Sequence, residues 1–220
     1  MDKDKQAFKD SLKEDELQHA AGSLIHYFND PANINRAVNW LIGVAVVALL
    51  VWGYTSYTGN IDSQVAKSMA SAREKMTAND LDTAIMNFKT ISKDYPASMH
   101  TGEVYYYLGQ CYEKNKDYDG AAKAYEEATK KKLPAELVPA AYIAYAYALE
   151  AKGENLKAVG VYDTLLRKLP KYYGAGEVML DQARNLKLAG KDLDAVLKYK
   201  EIVEKFPDSS WAITAKPFAR

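Results

Sequence analysis

The sequence predicts an all-α protein: a solenoid of four helix pairs with a capping helix, behind one transmembrane helix. Two observations support this prediction. The chain repeats itself on a lattice of 37 residues, and a stretch of 25 residues near its start has no charged side chain. Stacked repeats bury a continuous core between neighbours, whereas about 20 consecutive apolar residues span a bilayer.

The repeat is clearest in the second helix of each pair, where an alanine, an aromatic residue and a proline recur. A small residue lets two helices approach, a ring fills the gap between repeats, and proline ends the helix. The prolines keep the lattice except in the second repeat, where the proline comes one residue late. In the order alanine, aromatic residue, proline, the four repeats carry Ala84, Phe88 and Pro96; Ala121, Tyr125 and Pro134; Ala158, Tyr162 and Pro170; and Ala195, Tyr199 and Pro207.

Turn signals and a terminal segment complete the predicted solenoid. Glycine, asparagine and lysine at residues 115–117, 152–153 and 190–192 predict a tight turn inside each pair. The segment 209–218 has apolar residues at alternating positions, including Trp211. We interpret it as a capping helix, because a solenoid needs a cover at its open end.

These positions resemble the tetratricopeptide repeat, over about residues 63–218. The second repeat matches the family pattern best, with Tyr105, Leu108-Gly109, Tyr112, Ala121, Tyr125, Ala128 and Pro134. The first repeat is degenerate in its first helix but keeps the pattern in its second. The resemblance implies stacked helix pairs that hold a protein or peptide rather than carry out chemistry.

The apolar stretch near the start of the chain predicts a transmembrane helix over residues 37–57. Aromatic residues, among them Trp40 and Trp52, stand at the ends of its apolar centre, as at membrane interfaces. A buried core helix is one alternative, but 25 uncharged residues are too many for this solenoid to cover. A cleaved signal peptide is another, but no small-x-small cleavage site follows. We therefore expect a permanent anchor.

The tail before the anchor, residues 1–36, is predicted to carry one amphipathic helix. A capping box at residues 11–14 opens the helix, and Asn-Asp-Pro at residues 29–31 ends it. Two interpretations of this helix stand side by side: it lies on the membrane surface, or it docks on another membrane protein. Its apolar face holds Leu17, Ala20, Ala21, Leu24 and Phe28.

The overall plan of tail, anchor and helical repeats resembles the YfgM-like ancillary subunit family of the bacterial SecYEG translocon. The sequence Trp52-Gly53-Tyr54, followed by residues 62–66, carries the similarity most directly. The resemblance implies a single-pass protein of the bacterial inner membrane with a cytoplasmic tail. It also implies a periplasmic repeat domain, residues 58–220, that acts with the translocon and chaperones. The basic residues flanking the anchor are balanced, so charge alone does not orient it.

Composition and motifs argue against chemistry and against nucleic acid. The chain has 29 basic and 29 acidic residues, so it lacks the positive charge that nucleic-acid binding requires. No zinc-protease, serine-hydrolase, phosphate-loop or paired-cysteine motif occurs. Two histidines in the tail and one in the repeats are too few for a closed metal site. We expect no catalytic residue, no metal and no cofactor.

The tetratricopeptide resemblance implies a binding groove lined by the first helices. The inward positions of the family fall one and five residues after the first large residue of each repeat. Aromatic residues and arginine dominate binding hot spots, and the corresponding set here includes both types. The corresponding positions are Met69, Arg73, Tyr106, Gln110, Ile143, Tyr147, Leu180 and Arg184.

This assignment predicts which tyrosines are exposed. We expect Tyr106, Tyr147 and Arg184 to be accessible and the lattice tyrosines Tyr125 and Tyr162 to be buried. The alternative is that Tyr106 and its counterpart in the next repeat pack under neighbouring helices. The groove lacks the lysine and asparagine set with which related repeats bind a C-terminal carboxylate, so a carboxylate-tail receptor is disfavoured.

Two function classes follow. The first is an anchored scaffold or chaperone-like adaptor that binds polypeptide in the groove, with a membrane-embedded partner reached through the tail and anchor. The second is a structural subunit of an envelope complex, with one fixed partner. Weak binding of many peptides would favour the first class, whereas one stoichiometric partner would favour the second.

Overall fold

The chain divides into two compact units, Met1–Thr58 and Gly59–Arg220. The predicted tail helix and its capping box lie outside the described residues, apart from isolated positions. The computed structural model describes residues 31–220 together with Gln18, His19, Gly22, Ser23 and Ile25.

A single helix, α1 (Pro31–Thr77), contains the whole predicted membrane segment. Proline is favoured at the first turn, where its missing N–H leaves no hydrogen bond unmade. Within the described residues, α1 is the one helix long and apolar enough to cross a membrane, with a mean hydropathy of 1.9 over its best window. None of that window is buried, unlike the core helix of a soluble protein. A signal sequence near the N-terminus passes the same test of length and composition.

The second unit consists of helix pairs joined by short turns. From α2 onward each helix packs against the next along the chain, and the end of α1 shares a core with α2 and α3. No strand occurs in the part of the chain that the structure describes, which confirms the all-α prediction. The helices are α2 (Leu81–Asp94), α3 (Thr101–Lys114), α4 (Tyr118–Lys130), α5 (Leu137–Ala151), α6 (Asn155–Lys168), α7 (Ala175–Leu188), α8 (Asp192–Lys205) and α9 (Ser210–Ala215), followed by a 3-10 turn, Lys216–Phe218.

These helices form the four predicted repeats. Repeat 1 comprises the end of α1 and α2, repeat 2 comprises α3 and α4, repeat 3 comprises α5 and α6, and repeat 4 comprises α7 and α8. The first helix of repeat 1 is thus the last part of α1, and no helix break falls at the predicted boundary after residue 57.

Each pair turns at one residue with a left-handed backbone. Asn79, Lys116, Gly153 and Gly190 are successive lattice positions, and their φ angles are 60°, 59°, 76° and 71°. Glycine adopts this conformation freely, whereas a side chain other than Asn or Asp is strained there by about 1–2 kcal/mol. The turns that the sequence predicts are therefore confirmed, and Lys116 is the strained member of the set.

The residue after each turn begins the second helix. In repeats 1 and 2 it is aspartate, and the carboxylates of Asp80 and Asp117 accept hydrogen bonds from backbone N–H groups in the first helical turn. Glu154 and Lys191 stand at the same positions in repeats 3 and 4, where the side chain makes no capping hydrogen bond. The same turn therefore tolerates different capping chemistry.

The lattice alanines and aromatic residues form the core between helices. Each lattice alanine is at most 2% exposed, and so are Phe88, Tyr125 and Tyr162. A Cβ atom added to Gly109 would lie 2.6 Å from carbon atoms of the Tyr125 ring, so only glycine lets α3 approach this ring. The predicted burial of Tyr125 and Tyr162 is confirmed.

The predicted capping helix is also confirmed. Ser209 caps α9, because its Oγ accepts a hydrogen bond of 3.1 Å from the backbone N–H of Ala212. The Trp211 ring meets the Phe206 ring edge-on, with 5.3 Å between their centroids. These contacts cover the open end of repeat 4.

Exchanging lysine and glycine at equivalent turns tests the strain. Lys116→Gly should raise the free energy of unfolding by about 0.5–1 kcal/mol, because relief of left-handed strain exceeds the chain entropy that glycine adds. Gly153→Lys should lower it by about 1–2 kcal/mol. Urea denaturation of a 59–220 fragment, followed by circular dichroism, measures both changes.

A lysine in an ordinary helical conformation is the matched control. Lys123 is exposed within α4, and Lys123→Gly should cost about 1 kcal/mol because glycine is a poor helix former. A loss at Lys116→Gly as large as this would contradict the strain argument.

Candidate protein-binding groove

The first helices of repeats 2, 3 and 4 line a groove of about 780 Å³. It runs along one face of α5, with the end of α3 and one face of α7 as neighbours. Of the eight positions predicted from the sequence, Ile143, Tyr147 and Arg184 line it. The structure thus brings together both predicted residues of repeat 3 and one of the two predicted residues of repeat 4.

The groove face of α5 is an apolar surface without cover. From Leu137 to Leu149 this helix has no charged residue. One side, including Ala141 and Ala146, is buried in the core. The other side presents Ile143, which is half-buried, and Tyr147, which is 49% exposed. Helices that are apolar on all sides are typically buried on all sides, so this face is suited to a partner.

Two tyrosines that the sequence analysis did not select also line the groove. Tyr172 and Tyr173 lie in the linker between α6 and α7, and their ring centroids are 4.8 Å apart. Tyr173 is 87% exposed. The 37-residue lattice could have revealed this aromatic pair. The positions equivalent to Tyr172 in the neighbouring repeats hold small residues, Ala135 and Ser209. An aromatic pair at that position breaks the pattern: Tyr172 is half-buried against the core, whereas Tyr173 is exposed.

Arg184 is paired rather than free. Its Nη2 lies 3.0 Å from Oε2 of Glu150, and its Nη1 lies 2.9 Å from Oδ1 of Asp181. Burial raises the pKa of the Asp181 carboxyl, and the nearby guanidinium counteracts this increase. Arg184 is 54% exposed at its side chain, as expected, but its charge is already compensated within the chain.

The expectation that Tyr106 is accessible is wrong. Only 9% of this residue is exposed, because its ring packs against the rings of Tyr107 and Tyr125, at centroid distances of 5.4 and 5.9 Å. Its hydroxyl accepts a hydrogen bond from Nε2 of Gln110, at 3.1 Å. The alternative stated above, packing under neighbouring helices, holds for Tyr106.

The other predicted positions also lie outside the groove. Met69 is 5% exposed and belongs to the core of repeats 1 and 2, so its assignment to a binding surface is corrected. Leu180 is half-buried against the core of repeat 4. Arg73 is exposed, and its guanidinium lies 4.7 Å from the centroid of the Tyr107 ring. Whether Arg73 contacts a partner stays a prediction.

The lattice tyrosines anchor the acidic side chains beneath the groove. The Tyr162 hydroxyl donates a hydrogen bond of 2.8 Å to Glu150, and the Tyr125 hydroxyl donates one of 2.6 Å to Glu113. The two hydrogen-bonded pairs are equivalent, because each residue of the second pair lies 37 positions after its counterpart in the first. Burial raises the pKa of both tyrosines, and the carboxylate that accepts each hydrogen bond raises it further, so the hydroxyls remain protonated donors.

The described residues contain no group of three or more histidine, cysteine, aspartate or glutamate side chains placed to hold a metal ion. One of the tail histidines, His26, lies outside those residues. The groove's chemistry is that of recognition: an apolar floor, exposed rings and a few charges.

Comparison with known proteins supports the fold. Residues 102–132 and 177–209 match family models of the tetratricopeptide repeat. These segments fall on repeats 2 and 4, so the chain carries tetratricopeptide repeats. No curated protein matches the chain.

Solved structures share the solenoid architecture at low sequence identity. A tetratricopeptide repeat protein from Parabacteroides merdae is 17% identical with a TM-score of 0.56; the match covers 71% of this chain and 59% of that protein. A putative kinesin light chain with TPR-like repeats from Podosopora anserina is 16% identical, with a TM-score of 0.54 and coverage of 72% and 84%. MamA is 20% identical, with a TM-score of 0.51 and coverage of 64% and 77%.

These similarities establish the fold as a tetratricopeptide-like solenoid. Tetratricopeptide repeats, which two segments of this chain match, are typically interaction modules. None of the three proteins is named as a translocon subunit.

The buried tyrosine hydroxyl can be tested separately from its ring. Tyr162→Phe removes the hydrogen bond to Glu150 and should lower the free energy of unfolding by about 1.5–3 kcal/mol, as expected for a bond to a charged group. Tyr147→Phe should change it by less than about 0.5 kcal/mol, because this hydroxyl has no partner among the described residues. Thermal and urea unfolding would measure both changes in stability. Equal losses for the two variants would contradict the assignment of the Tyr162 hydroxyl as a stabilising buried donor.

Proposed function

We propose that this chain is a membrane-anchored scaffold or chaperone-like adaptor that holds another polypeptide in the groove. The observation that supports the proposal most directly is the uncovered aromatic surface of the groove, with Tyr147 and Tyr173 exposed. Exposed aromatic residues in a concave site are typical anchors of protein–protein binding. Tetratricopeptide repeats generally bind proteins or peptides, which agrees with this use.

The location we propose is the bacterial inner membrane. Residues 37–57 would cross it once, residues 1–36 would be cytoplasmic, and residues 58–220 would be periplasmic. The unburied apolar length of α1 supports the anchor. The orientation and a link to the Sec translocon rest on the resemblance of the tail, anchor and first repeat to the YfgM-like family. In this proposal the tail and anchor reach the membrane-embedded partner.

Site-specific photocrosslinking in the native membrane tests the groove. A photoreactive phenylalanine analogue at Tyr147 should form adducts with other polypeptides. The same analogue at Glu204, an exposed residue of α8 outside the groove, should not. Many adducts would indicate an adaptor with varied clients, whereas one dominant adduct would indicate the structural subunit with a fixed partner. No adduct at Tyr147 would contradict the proposal.

Truncating two tyrosines separates binding from stability. Tyr147→Ala should weaken partner binding by about 1–2 kcal/mol and leave stability almost unchanged, because its ring is a half-exposed contact residue. Tyr162→Ala should instead cost about 3–5 kcal/mol of folding free energy, because it empties a buried site. Co-purification yield and thermal unfolding measure the two effects. If Tyr147→Ala unfolds the domain as readily as Tyr162→Ala, the ring belongs to the core.

Protease accessibility tests the topology. Protease added to spheroplasts should digest the repeat domain and leave a short membrane-bound fragment that contains the tail. A cytoplasmic protein should stay intact in the same sample, which controls for lysis. Protection of the repeat domain until the membrane is dissolved would contradict the proposed orientation.

A further inference from the structure

The charges that line the groove are mostly negative. Glu113, Glu136 and Asp181 contribute carboxylates, and Arg184 contributes the one guanidinium among the described lining residues. Because Arg184 already pairs with both Asp181 and Glu150, it offers little attraction to an incoming anion. Among the residues that the structure describes, neither Glu113 nor Glu136 forms an ion pair, although the whole sequence has a formal net charge of zero.

The carboxylates of Glu113 and Glu136 differ in how firmly they are held. Glu113 is fixed at the end of α3, because its Oε2 accepts the 2.6 Å hydrogen bond from the Tyr125 hydroxyl, a neutral donor that leaves its charge in place. Glu136 is exposed immediately before α5, where its side chain makes no capping hydrogen bond. One carboxylate is thus preorganised and the other is free to move towards a ligand.

The rings and aliphatic side chains of the groove suit the same kind of ligand. Tyrosine faces attract cations, and the apolar face around Ile143 can pack against the long aliphatic stem of lysine or arginine. The repeats already use this chemistry internally. Lys89 lies 5.4 Å from the centroid of the Tyr112 ring, and Lys168 lies 5.2 Å from that of Tyr142.

We propose that the groove selects a partner segment that presents lysine or arginine side chains, held between the exposed tyrosines and the carboxylates of Glu113 and Glu136. This inference rests on the proposed function and adds the chemical class of the ligand. It departs from the expectation that Arg184 is itself a contact for the partner, since Arg184 is neutralised within the chain. An acidic or C-terminal carboxylate ligand would be repelled by the same charges.

The test uses the full-length chain in mild detergent and three fluorescent peptides of equal length. The peptides share their apolar residues and carry lysine, glutamine or glutamate at the remaining positions. Fluorescence anisotropy should give the tightest binding for the lysine peptide, about 10-fold tighter than the glutamate peptide at low salt. The difference should shrink as salt screens the exposed charges.

Charge variants locate the effect in the groove. Glu136→Lys should weaken binding of the lysine peptide by about 3- to 10-fold, whereas Glu204→Lys, the same change outside the groove, should alter it by less than about 2-fold. Arg184→Gln uncovers the carboxylates of Glu150 and Asp181, so it should strengthen binding of the lysine peptide by about 3-fold. Circular dichroism checks that each variant is folded. If the Arg184→Gln variant is unfolded, the comparison of Glu136→Lys with Glu204→Lys tests the inference.

Each outcome bears on the inference. Preference for the glutamate peptide, or equal weakening by Glu136→Lys and Glu204→Lys, would overturn it. Equal binding of all three peptides, weakened alike by Tyr147→Ala, would also overturn it while leaving the scaffold function intact. If no peptide binds, the charge preference fails; if Tyr147 also forms no crosslink in the membrane, the proposed function fails with it.

Discussion

The close approach of two helices at one alanine in each repeat is the constraint on which the solenoid depends. With a methyl group at Ala84, Ala121, Ala158 and Ala195, the paired helices leave room for only one large ring four residues later. That ring fills the space between helices and, in repeats 2 and 3, carries a hydroxyl that donates a hydrogen bond to a glutamate at the end of the first helix. A larger side chain at the alanine would displace the ring and break this hydrogen bond, so packing and polar geometry depend on the same methyl group.

The groove follows from this arrangement. A helix pair uses one face of each helix for its partner and another for the next repeat, which leaves the groove face of the first helix uncovered. In α5 that face is apolar, and it ends in Tyr147. The glutamates that accept hydrogen bonds from the lattice tyrosines lie at the ends of the first helices. The hydrogen bond that stabilises repeat 2 therefore also holds the negative charge of Glu113 at the groove, whereas Glu150 in repeat 3 is paired with Arg184.

The predicted binding positions fall into two series, and the structure treats them differently. Met69, Tyr106, Ile143 and Leu180 form the first series and are buried or half-buried, whereas Arg73, Tyr147 and Arg184 of the second series are exposed. Positions four apart on a helix differ by about 40° around its axis. That rotation is enough to turn the first series towards the core and the second towards solvent. Gln110 is the intermediate case, since it bonds to Tyr106.

The sequence by itself determined the architecture. The period of 37 residues, the small and aromatic lattice positions and the turn residues each act locally or between adjacent repeats, so helix pairs, turns, buried tyrosines and the capping helix could all be predicted from spacing. Tertiary structure alone decided the character of the groove. Tyr172 and Tyr173 reach the groove from a linker between helices. Tyr106 is buried against a ring of the next helix, and Arg184 pairs with Glu150 of another helix. Their distances depend on how neighbouring repeats rotate against each other, and periodicity along one chain does not encode that rotation.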